Sequence, residues 1–252
     1  MKYIAIGDIH GRLDLLDELL LRIRLISSLK DHILMFLGDM NDRGPDSYGV
    51  IEVVKGLVEA GKAIALRGNH EDMMLEWVDW HEGDRTHYWF PNGAGKTIES
   101  YGRATKLYGM GRFPMALGKT GHYGWLKKLP YFHETDEVWF SHAPIAADYK
   151  ARRGVDDFRL DSHSMTWTFF GNEGEPAYDH GKLAVCGHVH ALQEGVYTPR
   201  MFPKIVYADT GSGCGALGRL TGIIIEDGKV VDYLQASPDT LAVIEGLGPE
   251  GE

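Results

Sequence analysis

Cysteine is scarce in this chain. Cys186 and Cys214 are its only two, too few for a disulfide framework or a cysteine-rich zinc site. Two free thiols in a reducing compartment are expected, which makes the cytoplasm the expected location. Long apolar runs are lacking as well. No stretch approaches the ~18 residues a membrane span requires, so no membrane association is expected. Met1-Lys2 leads into only a short apolar run before Gly7-Asp8, which does not make a secretory signal. Positive charge is in deficit too: 26 Lys and Arg stand against 36 Asp and Glu, a net charge of −10. That excludes a nonspecific nucleic-acid binder, which needs a cationic surface, and no nucleic-acid partner is expected. Internal repeats and low-complexity blocks are likewise missing.

What is present is ordinary for a globular protein: 252 residues, 44% hydrophobic and 25% charged. That is enough for a substantial core and compatible with one domain. The first third repeats one pattern of strand, polar loop and helix. Apolar runs at Lys2–Ile6, His32–Leu37 and Ala63–Leu66 read as strands. Leu13, Leu16, Leu19, Leu20 and Ile23 are spaced as one face of a helix over Leu13–Leu29, and Ser47–Ala60 reads as a second helix stopped by Gly61. This order implies parallel strands with crossover helices and a site at the strands' carboxyl ends. The stretch from about 72 to 130 is rich in Trp, Tyr, Met and Gly, with helical pieces at Asp72–Trp80 and Gly93–Tyr101. It reads as a mostly helical insert over the site. Strand character returns at Glu137–Phe140, Leu183–Cys186, Ile205–Ala208, Leu220–Ile225 and Val230–Leu234, expected to form another sheet packed on the first. One domain over 1–237 and a frayed tail over 238–252 are expected.

Five polar clusters end apolar runs: Gly7-Asp8-Ile9-His10-Gly11, Gly38-Asp39-Met40-Asn41-Asp42-Arg43-Gly44, Gly68-Asn69-His70-Glu71, Ser141-His142-Ala143 and Gly187-His188-Val189-His190. Singly, each reads as a cap or loop residue. Jointly they supply the Asp, His and Asn that two divalent cations need. In a regular strand an x+2 spacing would point Asp8 and His10, or His188 and His190, to one face. A carboxylate such as Asp39 has two oxygens and can bridge two cations. His70 is the candidate general acid, with Asp42 as its orienting carboxylate. Arg43 and Arg67 are candidate phosphate clamps, since a guanidinium matches phosphate oxygens bidentately.

The run Gly-Asp-x-His-Gly, Gly-Asp-x-x-Asp-Arg-Gly, Gly-Asn-His-Glu resembles the signature of the calcineurin-like metallophosphoesterases. It is most similar to the phosphoprotein phosphatase branch, which includes serine/threonine phosphatases and bacterial diadenosine tetraphosphate hydrolases. The likeness extends through Trp89-Phe90-Pro91-Asn92-Gly93 to Tyr101-Gly102, Trp125 to Pro130, and Ala208-Asp209-Thr210-Gly211 to Leu220-Thr221. It implies an α/β fold, a four-layer α/β/β/α sandwich. It implies that Asp8, His10 and Asp39 bind one metal and that Asp39, Asn69, His142 and His188 bind the other. It also implies attack by a metal-activated hydroxide on a phosphorylated substrate, with manganese expected ahead of iron or zinc. Two departures stand out. Trp167 is followed by Thr168 and Phe169, where that branch carries a further phosphate-binding Arg; Arg152, Arg153 and Arg159 are the candidate substitutes. The second His, His190, is expected to join the first metal, as in the broader superfamily. The substrate stays open between a phosphomonoester, including phosphoserine or phosphothreonine in proteins, and a dinucleoside polyphosphate. For the latter, Trp77, Trp80, Tyr88 and Trp89 are either base-stacking residues or core.

Overall fold

A computed structural model describes residues 1–80, 86–148, 162–168, 179, 181–190 and 197–239. Two five-stranded sheets carry the fold. The first has the order β10-β9-β1-β2-β3, built from β1 (Lys2–Ile6), β2 (Ile33–Phe36), β3 (Ala63–Ala65), β9 (Leu220–Glu226) and β10 (Lys229–Ala236). The second has the order β4-β5-β6-β8-β7, from β4 (Phe132–Glu134), β5 (Val138–Ser141), β6 (Leu183–Cys186), β7 (Arg200–Phe202) and β8 (Ile205–Tyr207).

The alternation along β1 explains the layering. Tyr3 and Ala5 face the second sheet and join Met35, Leu37, Leu66, Val138, Phe140, Val185 and Val206 in the core between sheets. Ile4 and Ile6 face the other way, onto helices α1 (Leu13–Leu25) and α2 (Ser47–Glu59), through Leu15, Leu16, Leu19, Val50 and Val54. A strand's side chains alternate between faces, so one five-residue strand serves both cores. Trp139 and Ala184 turn outward from the second sheet and pack with Met165 of helix α8 (Ser162–Trp167). The α/β fold with two sheets and outer helices is as the sequence led us to expect.

Several details differ. Helix α1 stops at Leu25, and Ser27–Leu29 forms a separate 3-10 turn; serines compete for backbone hydrogen bonds and favour such turns. More consequentially, β9 and β10 do not extend the second sheet. They return to the first, with β9 antiparallel to β1 from Lys2↔Glu226 to Ile6↔Gly222. Ile223 and Ile225 point to the core between sheets while Ile224 points to the helices, so β9 meets the same two-sided demand as β1. The edge strands β4 and β7 escaped the sequence reading: each is three residues long and, unlike the equally short β3 and β8, has no fully buried residue and no apolar run to mark it.

From residue 69 to 126 the described elements are all helical: α3 (Asn69–Asp79), α4 (Thr86–Trp89), α5 (Ala94–Thr105), α6 (Phe113–Lys119) and α7 (His122–Leu126), with 3-10 turns between. Trp77, Trp89, Tyr101 and Phe113 form their aromatic centre, continuous with the helix-side core. The tail over 240–252 lies outside the described residues.

Candidate metal centre

Strands β1, β2 and β3 are mutually parallel, as are β5, β6 and β8. Each of these strands is followed by a polar residue of one buried cluster: Asp8, Asp39, Asn69, His142, His188 and Asp209. Strand carboxyl ends collect in one place, so residues far apart in sequence converge. The backbone turns sharply there. Of the seven described non-glycine residues with positive φ, five lie at this site: His10, Asp39, Asp42, Arg43 and His188. That conformation is unfavourable for a side-chain-bearing residue and marks functional sites. It also replaces the regular x+2 argument, because His10, at φ 49°, follows the strand rather than extending it.

Asp39 stands at the centre. Its Oδ2 lies 3.6 Å from His10 Nε2 and 3.7 Å from His70 Nε2, while its Oδ1 lies 3.4 Å from His142 Nε2. Asp8 Oδ2 is 3.9 Å from His10 Nε2. Asn69 Oδ1 is 2.8 Å from His142 Nε2 and 3.1 Å from His188 Nδ1. Donor atoms bound ~2.1 Å from one ion stand about 3–3.5 Å from one another, so these spacings suit metal ligation. Among the described residues two groups of donors lie within 4.8 Å of one another, His10-Asp39-His70 and Asp39-His142-His188, and they share Asp39.

The imidazoles are oriented for ligation. His10 Nδ1 donates to Asn41 O at 2.9 Å and His142 Nδ1 donates to Leu37 O at 2.9 Å, leaving each Nε2 lone pair toward the cluster. Such outer hydrogen bonds fix the tautomer of metal-binding histidines. Burial holds His10 and His142 well below the ordinary histidine range, and His188 down at about 4, so these rings are neutral near pH 7. Burial holds both Asp8 and Asp39 well above the usual carboxylate range, helped by the charge of Asp209 at Asp8 and of Glu71 at Asp39. Without cations such crowding of acids is costly; cationic charge is what it fits.

Glu71 locks the scaffold. Its Oε2 accepts from Gly68 N at 2.8 Å and Asp39 N at 2.9 Å, and its Oε1 accepts from Met40 N at 2.7 Å. One fully buried carboxylate thus joins the start of α3 to the Asp39 loop. Two glycines are fixed by close approach: a Cβ on Gly68 would strike Asp39 Oδ1, and one on Gly187 would strike Asp8 Oδ1.

His70 Nδ1 lies 2.7 Å from Asp42 Oδ2, and Arg43 Nη2 lies 3.3 Å from His70 Nε2. Arg67 sits at the same strand end, but Nη1 donates to Asp72 Oδ1 at 3.2 Å and Tyr131 Oη at 2.9 Å, and Nη2 donates to Leu126 O at 3.0 Å. Only its Nε lacks a partner among the described residues. His190 is half-buried, near enough to lower His188 and Asp209 electrostatically, but outside both donor groups. Arg152, Arg153 and Arg159 lie outside the described residues.

Two residues carry roles that sequence reasoning did not assign. Glu71 was visible only as the end of its motif. Asp209 is 2% exposed, accepts from Gly211 N at 2.8 Å and shares a hydrogen bond with Asp8. Its signal was its place after an apolar strand, the same signal that marked Asp8 and Asp39.

Comparison with known proteins agrees with this geometry. The chain is 29% identical over 221 residues to serine/threonine-protein phosphatase 1 of Salmonella typhimurium, covering 86% of this chain and 88% of that one. It is 29% identical over 264 residues to the asymmetrical bis(5'-nucleosyl)-tetraphosphatase PrpE of Bacillus cereus (strain B4264), covering 94% and 96%. Its fold matches the crystal structure of a cold-active protein-tyrosine phosphatase of a psychrophile Shewanella with a TM-score of 0.55 at 19% identity, covering 94% of this chain and 80% of that one. Residues 1–192 match the model of the calcineurin-like phosphoesterases. With the strand-end cluster of acids and imidazoles, this establishes that the chain belongs to the calcineurin-like phosphoesterase family and is a metal-dependent phosphatase.

Proposed function

We propose that the protein is a two-metal phosphomonoesterase acting on phosphoserine or phosphothreonine in proteins, or on a small phosphomonoester, in the cytoplasm. The observation that carries this reading is the divided carboxylate of Asp39, with Oδ2 toward His10 and Oδ1 toward His142. Asp8, His10, Asp39 and His190 would hold one cation; Asp39, Asn69, His142 and His188 would hold the other. We assign manganese, with iron and zinc as competitors for the same donors. Bound there, two cations supply charge neutralisation for the phosphate and a nucleophilic water near neutral pH.

The chain's own residues do the rest. Arg43 binds a phosphate oxygen through the guanidinium beside His70. Arg67 would have to exchange Asp72 for phosphate to join it. His70 delivers a proton from Nε2 to the leaving oxygen, with Asp42 holding Nδ1. Burial and then Arg43 keep His70 low. An entering phosphate dianion offsets the Arg43 charge and favours the second proton on the ring.

The second reading is a dinucleoside polyphosphate hydrolase, favoured by the likeness to PrpE. Of the four aromatic candidates for base stacking, Trp77 is 6% and Trp89 0% exposed, so they are core. Trp80 and Tyr88, at 64% and 70%, remain available. The test is steady-state hydrolysis of p-nitrophenyl phosphate, a phosphothreonine peptide and diadenosine tetraphosphate by manganese-loaded protein. A higher kcat/KM on the peptide or the simple monoester is expected. Preference for the dinucleotide would overturn the first reading in favour of the second. Metal content by mass spectrometry tests the ligand set. About two ions per chain are expected, with His190→Ala lowering the count; unchanged stoichiometry removes His190 from the set.

A further inference from the structure

Among the described residues, the side chains that hold Asp42 are His70, Ser47 and Asn41 from around its own loop and, from the helical insert, Thr97 and Trp89. Thr97 on α5 donates its hydroxyl to Asp42 Oδ1 at 2.6 Å and accepts the Asp42 backbone N–H at 2.9 Å. The indole N–H of Trp89, closing α4, donates to Asp42 Oδ2 at 2.9 Å and Oδ1 at 3.1 Å. Ser47 joins the same net, 3.0 Å from Thr97 Oγ1. Thr97 thus grips both the carboxylate and the backbone of one residue. That residue needs gripping: Asp42 and Arg43 are consecutive non-glycine residues at φ 71° and 63°. Gly93 packs so closely on them that a Cβ there would meet the Arg43 backbone nitrogen at 2.5 Å.

We propose that Thr97 and Trp89 are positioning residues for proton delivery, holding the Asp42 carboxylate in the one orientation that aims His70. The inference rests on the reading of His70 as the general acid. The geometry supports it in two ways. A carboxylate with a single partner can rotate about its last bond, whereas one with three donors on two oxygens cannot. Second, Trp89 and Thr97 are fully buried, and their hydrogen bonds to the site's charged groups go to Asp42. The insert is therefore part of the catalytic apparatus, not only a cover, and its ring system of Trp77, Trp89 and Phe113 serves to fix one indole N–H.

The test compares Thr97→Val, Thr97→Ser, Trp89→Phe and His70→Asn in the manganese-loaded full chain. Each is assayed on p-nitrophenyl phosphate, a good leaving group, and phenyl phosphate, a poor one. Thr97→Val and Trp89→Phe are expected to lower kcat about tenfold on phenyl phosphate and no more than about twofold on p-nitrophenyl phosphate, because acid catalysis matters most for poor leaving groups. KM and metal content should be unchanged, and Thr97→Ser should recover the parent rate to within about twofold, since it keeps the hydroxyl. Equal loss on both esters, or no loss in either insert variant while His70→Asn shows the leaving-group effect, overturns the positioning role and leaves the acid reading intact. If His70→Asn loses equally on both esters, the acid reading fails and this inference falls with it. Should Thr97→Val not fold, Trp89→Phe, which keeps an aromatic ring in the smaller phenyl form and loses the N–H, decides by the same comparison.

Discussion

Glu71→Gln is the substitution most informative about how the site is built. The carboxylate accepts three backbone N–H groups, from Gly68, Asp39 and Met40, at 2.7–2.9 Å, with no exposure to water. Burial pushes it up to about 7 against the pull of those three donors. A glutamine is nearly the same size, so the cavity term is negligible. Its single carbonyl can keep Gly68 and Asp39, but the amide nitrogen then faces the Met40 N–H, donor against donor. A lost hydrogen bond to a charged group costs roughly 1.5–3 kcal/mol, so we expect about 2–3 kcal/mol. For a domain of this size that lowers Tm by about 4–12 °C. Glu71→Ala orphans all three donors and should cost more, about 3–9 kcal/mol at 1–3 per buried group. The assay is thermal denaturation followed by circular dichroism, with and without manganese. The Asp39 loop is anchored by the same carboxylate, so the gap between loaded and metal-free Tm should shrink in Glu71→Gln. A Tm drop under about 2 °C, or an unchanged metal-induced gap, would refute the view that Glu71 holds the Asp39 carboxylate in place.

Other consequences follow from the same geometry. Gly187→Ala places a Cβ against Asp8 Oδ1 and should displace that carboxylate, so metal content falls toward one ion per chain while the fold, read by far-UV circular dichroism, is retained. Asp8 and Asp39 are raised well above the usual carboxylate range, whereas His10 and His142 lie well below theirs. The imidazoles are thus already free to ligate near pH 7, and a metal ion competes with protons chiefly at the raised carboxylates. Metal binding should therefore release protons, and affinity should rise with pH through the raised carboxylate range. A pH indicator in weakly buffered solution would record the release; metal uptake without any release across that range would contradict the assignment.

Most of the site was legible because each ligand lies within a few residues of an apolar run. Asp8, Asp39, Asn69, His142 and His188 all sit just past strands that alternation or continuous apolar character marks. Asp209 carried the same mark and was passed over because nothing beside it looked like a ligand motif. Arg67 was placed at the correct strand end, but its engagement by Asp72, Tyr131 and Leu126 depends on segments up to 64 residues away. Aromatic residues were the most ambiguous. Trp77 and Trp89 read more readily as core than as a stacking platform, and their burial decides for core.

The sequence by itself determined the strand-loop-helix order and parallel strands of the first third, the α/β class and the candidate donor residues. Those depend on periodicity and on residue chemistry within a short window. Tertiary structure alone decided that β9 and β10 close the first sheet beside β1, because pairing is chosen by which face each isoleucine can bury. It alone decided that Asp39 turns one oxygen to each donor group, and that Asp42 is held by residues 47 and 55 positions away. Hydrogen bonds of that range leave no trace in local pattern; they exist only once the hydrophobic cores have fixed where the strand ends and the insert meet.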